Sequence, residues 1–461
     1  MPANTFQSIP TSITSRALSS SFSAEDEARR EMMRLNKDFY YGKQEQSLQC
    51  VNDDQDPLTL NLTKPTIRKR TSLLYSQKLV REFDGPQGSI ALLEQIYKDN
   101  DIDTLLLGVD LSSELTGSAF IMPVTDENVE GGIRLRVLDA ANTSVVTSED
   151  DPAVLEALSI IRVVDRMRED GSVEKVIKQQ IWTVDEVITW EGKSLDNGRE
   201  IQREVNELNF LPFINFKGEE VIDQYLGHAS ATGTRTLNEE FNQLLTHLGF
   251  MVKMQAFTPI VLSGFSNGET VSYHPGRAIS LPAGADGKAI ELQPKINETL
   301  ELLKYLEEKI YETSNVPKVS VIGGAEARSG RELIIRWFPL IQIYAEKRIR
   351  FEKYELALAN MILDVMDMPH VDGVKVVYPE GGILPVNADE DNLERDIRLN
   401  VRTPVDELLR KDPTLTPEEA LLIYIDNLEI NKMNQPVATN EDSNPDTNDK
   451  QDKEVDDKQE K

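Results

Sequence analysis

Residues 297–331 read NETLELLKYLEEKIYETSNVPKVSVIGGAEARSGR. The first part has the pattern of an amphipathic helix. Leu300, Leu303, Leu306 and Ile310 recur at three- and four-residue spacing and line one face. Glu298, Glu301, Lys304, Glu307 and Glu308 occupy the other side. Asn297 is placed to cap the start, because a side-chain oxygen there satisfies an orphan N–H of the first turn. Pro317 is placed to stop the helix, since proline biases the residue before it away from helical dihedrals. The run that follows is pliable at Gly323, Gly324 and Gly330 and basic at Lys318, Arg328 and Arg331.

On the N-terminal side, TRTLNEEFNQLLTHLGFMVKMQAF (234–257) carries Leu237, Phe241, Leu244, Leu248 and Met251 on one stripe, which predicts a helix. Between the two helices lies an insert, 258–294, rich in glycine and proline, that reads as several short strands. On the C-terminal side a long helical period runs from Leu333 to Val365, over about ten turns. Pro339 lies inside it and is expected to kink it, because proline removes one backbone donor and clashes with the preceding turn.

The stretch 316–356, VPKVSVIGGAEARSGRELIIRWFPLIQIYAEKRIRFEKYEL, resembles the region of tailed-phage portal proteins that follows the clip. Ser314, Val316 and Pro317 match the motif that closes a stem helix. Ser329, Gly330, Glu332 and Leu333 match the turn that opens the long helix, although many relatives carry small residues where Glu332 stands. Upstream, Asn209, Leu211, Pro212, Phe213 and Phe216 match a strand motif, and Gly227 and Ser230 the helix entry after it. The resemblance covers roughly residues 25–433.

It implies an α+β fold assembled into a dodecameric ring. By position the parts are an N-terminal arm (1–23), a wing (24–233) and a first stem helix (234–257). A β-rich clip (258–295), a second stem helix (296–316) and a tunnel loop (317–330) come next. A long kinked helix with the return to the wing (331–390), a crown (391–433) and an acidic tail (434–461) complete the chain. The implied function is that of the portal vertex: double-stranded DNA is packaged through the ring by the terminase and later ejected. The implied partners are other copies of the chain, the terminase large subunit, the major capsid and scaffolding proteins, and head–tail connector proteins. The implied location is the virion, with host cytoplasm as the site of assembly. No cofactor is implied. On this reading the tunnel loop faces DNA through Lys318, Val319, Val321, Ile322, Gly323, Gly324, Arg328 and Arg331. Glu298, Glu301, Glu307 and Glu308 line the channel. Two alternatives stay open within the loop. Arg328 and Arg331 could instead bridge to a neighbouring subunit, and the strip Val319, Val321 and Ile322 could be a plain buried connector. A connector protein without a translocation role is the rival function.

Bulk properties fit a large non-adhesive assembly component and, more commonly, an ordinary acidic protein. The chain has 461 residues, too many for one small core. It carries 50 basic against 79 acidic side chains, net −29. Such a chain is a poor non-specific DNA binder, since phosphate contacts need lysine and arginine. One cysteine, Cys50, excludes an intramolecular disulfide and makes a reducing compartment the simplest expectation. No apolar run reaches the ~18 residues of a membrane helix, so no membrane partner is expected.

Elsewhere, residues 1–23 are low in large apolar side chains and read as a flexible arm. Ser23 is a helix cap with Glu25, Asp26 and Glu27 in the first turn. Lys64, Arg68, Lys69 and Arg70 cluster. Without interleaved aromatic residues they read as a solvated helix face or subunit contact ahead of a nucleic-acid patch. Helices follow from Gly88 to Leu115, with Ser89 and Asp101 or Asp103 as caps. Then come antiparallel strands with a hairpin signal at Asp170-Gly171. Thr403-Pro404 and Thr416-Pro417 place a cap and a first-position proline at two short helices. From Asn434 the tail holds 9 acidic and 4 basic residues and is expected to be disordered.

Catalytic signatures are missing. His228, His247, His274 and His370 show no metal-ligand spacing, and Gly323-Gly324 lacks the Gly-Lys-Ser/Thr of a phosphate loop. Asp53-Asp54, Asp150-Asp151 and Asp456-Asp457 read as solvated turn or tail residues. The sequence supports neither a metal site nor an enzyme.

Overall fold

In the computed structural model the described residues are 12–48, 56–75, 77–167, 173–192, 197–256, 260–263, 286–289, 295–318, 330–379, 403–411 and 416–433. The chain forms two compact units, Met1–Pro385 and Val386–Lys461.

The first unit is organised on strand β2 (Ser118–Thr125), whose first six residues are all buried. It pairs antiparallel with β3 (Ile133–Asp139) on one side and β9 (Ile214–Lys217) on the other. Side chains alternate across a strand, and here both faces are covered. Ala119 and Ile121, with Ile133, Leu135 and Phe216, pack against α4 (Gln87–Asp99), α5 (Ile102–Thr116) and the 36-residue α8 (Gly330–Val365). Phe120 and Met122, with Leu138 and Phe213, pack against Met33 of α2 (Ala24–Tyr40) and against Leu158 and Ile160 of β5 (Leu155–Met167). This explains why SAFIMPV reads as a continuous apolar run rather than an alternating one.

A second sheet is an antiparallel meander in the order β4 (Thr143–Thr147), β5, β6 (Val173–Trp182), β7 (Glu186–Gly192), β8 (Gly198–Val205). The β5–β6 pairing agrees with the hairpin expected there, while Asp170-Gly171 lies outside the described residues. A two-stranded ladder joins β1 (Val80–Asp84) to β12 (Gly373–Val377), tying the segment after α8 back to the early part of the chain. Chain reversal after α5 depends on Gly117, at φ +82°, where a Cβ would lie 2.3 Å from the carbonyl oxygen of Gly227.

Several local expectations are met. The Ser23 side chain accepts a hydrogen bond from the Asp26 amide, capping α2. In the second unit, Thr403 and Asp406 form a reciprocal capping box at α9 (Pro404–Lys411). Thr416 and Glu419 do the same at α10 (Pro417–Met433).

Others need correction. Residues 12–23 are not a flexible arm, because α1 (Ile13–Ser21) packs on the meander. Ala17 is buried with Val146, Ala157, Ile181 and Ile188, and Gln179 donates to Ser21 Oγ at 2.6 Å. Small residues let this helix approach the sheet closely; their smallness is a packing feature, not a sign of disorder. Ser89 and Asp101 make no side-chain cap at α4 or α5. Asn297 does not cap α7 (Ile296–Thr313), since it lies one residue inside the helix, whose N-cap position is Lys295. Leu300 is 40% exposed; the buried face of α7 is Leu303 and Ile310, with Ile296 and Leu306 half-buried beside them. α7 also ends before Pro317. Asn315 adopts a left-handed φ of 55°, and the Val316 amide closes back on the Tyr311 carbonyl at 3.1 Å, the bond of a Schellman ending. Pro339 lies within α8, which continues through it.

The helix expected over 234–257 is α6 (Ala231–Ala256), starting three residues ahead of the expected point. Its inner side carries Asn238, Asn242 and Thr246 at four-residue spacing. Asn238 Oδ1 accepts from the Leu62 and Thr63 amides (2.9 and 3.1 Å), Asn242 Oδ1 from the Leu60 amide (2.8 Å), and Thr246 Oγ1 from the Leu58 amide (3.0 Å). Four helical residues rise ~6 Å and two extended residues ~6.6 Å. The two repeats therefore stay in step, and polar side chains of a helix take the place of a partner strand. An Asn238→Leu substitution is expected to lower unfolding free energy by about 2–4 kcal/mol, because it leaves two buried amides without an acceptor. Urea unfolding should show the midpoint fall with the slope unchanged.

Candidate functional site

α6 and α7 run antiparallel, since Gly233 at the start of α6 lies against Thr313 at the end of α7. Their shared seam is Phe241, Leu248, Leu303 and Ile310, flanked by Leu237, Leu244 and Met251. Beyond the far end of the pair, β10 (Ile260–Ser263) and β11 (Asp286–Ala289) form an antiparallel two-stranded ladder. Leu303 and Ile310 are seven residues apart and lie within about 20° of each other around α7. On the opposite side Glu298, Glu301, Tyr305, Glu308 and Glu312 recur at three- and four-residue spacing, and all five are exposed. They form an acidic stripe facing away from the apolar seam.

The structure separates the expected site residues. Glu298, Glu301 and Glu308 share the acidic stripe. Glu307 does not: it lies on a different side of α7, half-buried, in a 2.9 Å ion pair with Lys318. Lys318 is thereby engaged with the helix that precedes it. Val319, Val321, Ile322, Gly323, Gly324 and Arg328 lie outside the described residues. Arg331 falls in the first turn of α8.

At the base of the helix pair is a group of charges that the sequence reading did not bring together. Arg70 belongs to α3 (Thr63–Thr71) and was grouped with Lys64, Arg68 and Lys69 as a solvated face; its side chain is 4% exposed. Its Nε donates to Glu114 Oε2 at 3.0 Å, and its Nη1 to the Ser314 carbonyl at 3.0 Å. Lys347 Nζ of α8 lies 2.7 Å from both Asp110 Oδ1 and Glu114 Oε1 of α5. Ser230, immediately before α6, donates its hydroxyl to Glu114. Lys69, by contrast, stands over the Trp337 ring, 4.3 Å from its centroid. The signal available in the sequence was the pair Asp110 and Glu114, four residues apart on the helix face that also carries Ile102, Leu106 and Val109.

The two carboxylates differ sharply. Burial pushes Asp110 up, to about 6, against the pull of Lys347. Burial acts on Glu114 in the same sense but is outweighed by Lys347 and Arg70, whose charges hold it down at about 2. A second buried group, Arg81 with Asp103 and Glu355, joins β1, the start of α5 and α8. Among the described residues no helix is long and apolar enough to cross a membrane, and no cluster of three or more metal-ligating side chains occurs.

Residues 20–380 match the family model described as phage portal protein, SPP1 Gp6-like. Among solved structures, the chain is similar to one from the virion of a native gene transfer agent particle, at 12% identity over 80% of this chain and 89% of that one, TM-score 0.46. A chain from the neck of the native particle, computed with C12 symmetry, matches at 12% identity over 75% and 88%, TM-score 0.45. One from the neck of the empty particle, computed with C6 symmetry, matches at 10% over 77% and 88%, TM-score 0.43. No curated protein matches the chain.

The pH dependence of stability follows from the two carboxylates. Asp110 is raised on folding, so its contribution to stability grows as pH falls from about 7 towards 4. Glu114 is depressed, so its contribution holds above its ordinary range and is lost as pH falls from about 4.5 towards 2. Denaturant titrations of wild type and Asp110→Asn are expected to show wild type gaining on the variant between pH 7 and 4. Both should lose stability below that. Parallel curves would rule out Asp110 as the titrating group.

Proposed function

The chain belongs to the SPP1 Gp6-like family of phage portal proteins, and from that premise we propose that it forms the ring at one capsid vertex through which double-stranded DNA enters and leaves. As a member of that family it is a structural component and not an enzyme. The observation that carries the reading is the antiparallel α6–α7 pair, with a β-ladder at its far end and an acidic stripe on the side away from its seam.

In the proposed ring, neighbouring copies set their α6–α7 pairs around an axis, with Glu298, Glu301 and Glu308 facing the channel. A wall of like charge repels phosphate and lets DNA slide, whereas a cationic wall would retain it through counterion release. The tunnel-loop residues Val319, Val321, Ile322, Gly323 and Gly324, with the cations Lys318, Arg328 and Arg331, are proposed to make transient contact with DNA. The Glu307–Lys318 ion pair fixes the start of that loop to the stem. The β10–β11 region is proposed as the clip, which meets the terminase large subunit during packaging and head–tail connector proteins afterwards. The outer sheets would meet capsid and scaffolding proteins, first in host cytoplasm and then in the virion.

Native mass spectrometry and negative-stain imaging should show rings with a central hole, at a mass close to twelve or thirteen copies of the 52.0 kDa chain. A chain that stays monomeric even with capsid and scaffolding proteins present would sink this reading. Charge reversal at Glu298, Glu301 and Glu308 to lysine should leave rings intact, because the three side chains are exposed. The same rings should bind DNA in a salt-sensitive manner and cut packaging yield by roughly an order of magnitude. Alanine at Lys318, Arg328 and Arg331 should weaken DNA retention without loss of assembly; unchanged retention would remove the loop cations from the mechanism.

A further inference from the structure

Both feet of the α6–α7 pair stand on one buried ion. Ser230, the residue before α6, donates to Glu114. Ser314, the residue after α7, gives its carbonyl to Arg70, whose Nε is held by the same Glu114 carboxylate. Lys347 then joins Glu114 to Asp110 and also reaches the Arg70 carbonyl at 3.4 Å. The charged side chains are 0–4% exposed, and Asp110 Oδ2 and Glu114 Oε1 have no hydrogen-bond partner, the latter being held by the ion pair with Lys347 alone. One compact group, to which the half-exposed Glu219 adds a 3.4 Å contact with Arg70 Nη2, thus connects α3, α5, α8 and both stem feet.

Such a group is a poor choice for stability alone. Desolvation cancels much of the attraction between buried ions, and well-packed apolar residues of similar volume hold a core as well or better. What ions provide is direction: each hydrogen bond fixes an angle as well as a distance, and losing one partner strands a buried charge. The members therefore move together or not at all. We infer that the Arg70–Glu114–Lys347–Asp110 group is a mechanical joint, which makes the two feet of the α6–α7 pair a single unit and carries a displacement of that pair into α5 and α8. The inference rests on the portal reading for its purpose, since a stem pushed by moving DNA is what the joint would report to the outer body. Its physical content does not depend on that reading.

Amide hydrogen exchange of the full-length chain in low urea tests the joint without DNA. In wild type, the segments 229–236, 310–317 and 344–350 are expected to open in one event, with the same rate and the same urea dependence. Arg70→Lys keeps the charge but cannot span Glu114 and the Ser314 carbonyl together. It should speed exchange in 310–317 by about tenfold or more, the scale of one lost charge-assisted hydrogen bond, while leaving 229–236 nearly unchanged. Ser230→Ala should do the reverse. Glu114→Gln should release both feet. The joint is overturned if the two feet already open independently in wild type, or if Arg70→Lys and Ser230→Ala loosen both feet equally. The wild-type measurement decides the matter even where a variant fails to fold. If the joint holds but the protein does not form rings, the portal reading fails and the joint stands.

Discussion

Glu114 is fully buried and ionised, and the rest of the molecule is arranged to tolerate it. A carboxylate with no water around it needs hydrogen-bond donors on nearly every lone pair, because the desolvation cost is several kcal/mol. Two donors, Arg70 on α3 and Ser230 before α6, bond its Oε2, and the Lys347 ammonium on α8 stands 2.7 Å from its Oε1 as an ion pair; the three come from places far apart in the chain. That requirement fixes where α8 crosses α5 and where the α6–α7 pair departs. β2, buried on both faces, supplies the rigid floor that makes such positioning possible, because α5 and α8 both pack on its Ala119–Ile121 side.

The same logic accounts for polar residues that look out of place on α6. Asn238, Asn242 and Thr246 are buried in a helix that otherwise packs with leucine and phenylalanine. They satisfy the backbone of residues 58–63, which has no strand neighbour. A helix that serves as a wall on one side and as a hydrogen-bonding template on another cannot slide or rotate without losing both. Rigidity of the α6–α7 pair is therefore set by polar bonds as much as by the apolar seam.

How much of this could be read in advance depends on sequence distance. Caps at Ser23, Thr403 and Thr416 were legible because donor and acceptor lie three residues apart. The paired helices around a β-insert were legible from periodicity, and so was the apolar β2. Asn297 failed as a cap because the helix begins one residue earlier, at Ile296, which packs beside the seam with α6. α1 was missed because serine and alanine carry little hydrophobic signal until a sheet surface is there to receive them. The β1–β12 ladder, the α6 template and the Arg70 group all join segments more than 40 residues apart, and no local pattern encodes such pairings. Arg70 misled most directly, since three neighbouring basic residues made it look like one more solvated charge.

Charge along α7 is sorted by geometry. The stripe that contains Glu298, Glu301 and Glu308 lies opposite the seam, where each carboxylate keeps its hydration. Glu307 lies off that stripe and is neutralised by Lys318. A helix needing only solubility could scatter its acids around the exposed arc and pair them with its own lysines at i,i+4. Here Lys309 pairs with Glu312 at the lower end of the stripe, while among the described contacts Glu298, Glu301 and Glu308 have no ion-pair partner. Glu298 and Glu301, and likewise Glu308 and Glu312, stand three or four residues apart, a rise of ~4.5–6 Å that lies inside the ~8 Å screening length at physiological salt, whereas Tyr305 separates Glu301 from Glu308 by a rise of ~10.5 Å. Fields add within each pair of carboxylates and are weakened by screening between the two pairs. In the ring proposed above, neighbouring copies would set their stripes side by side and add to those fields.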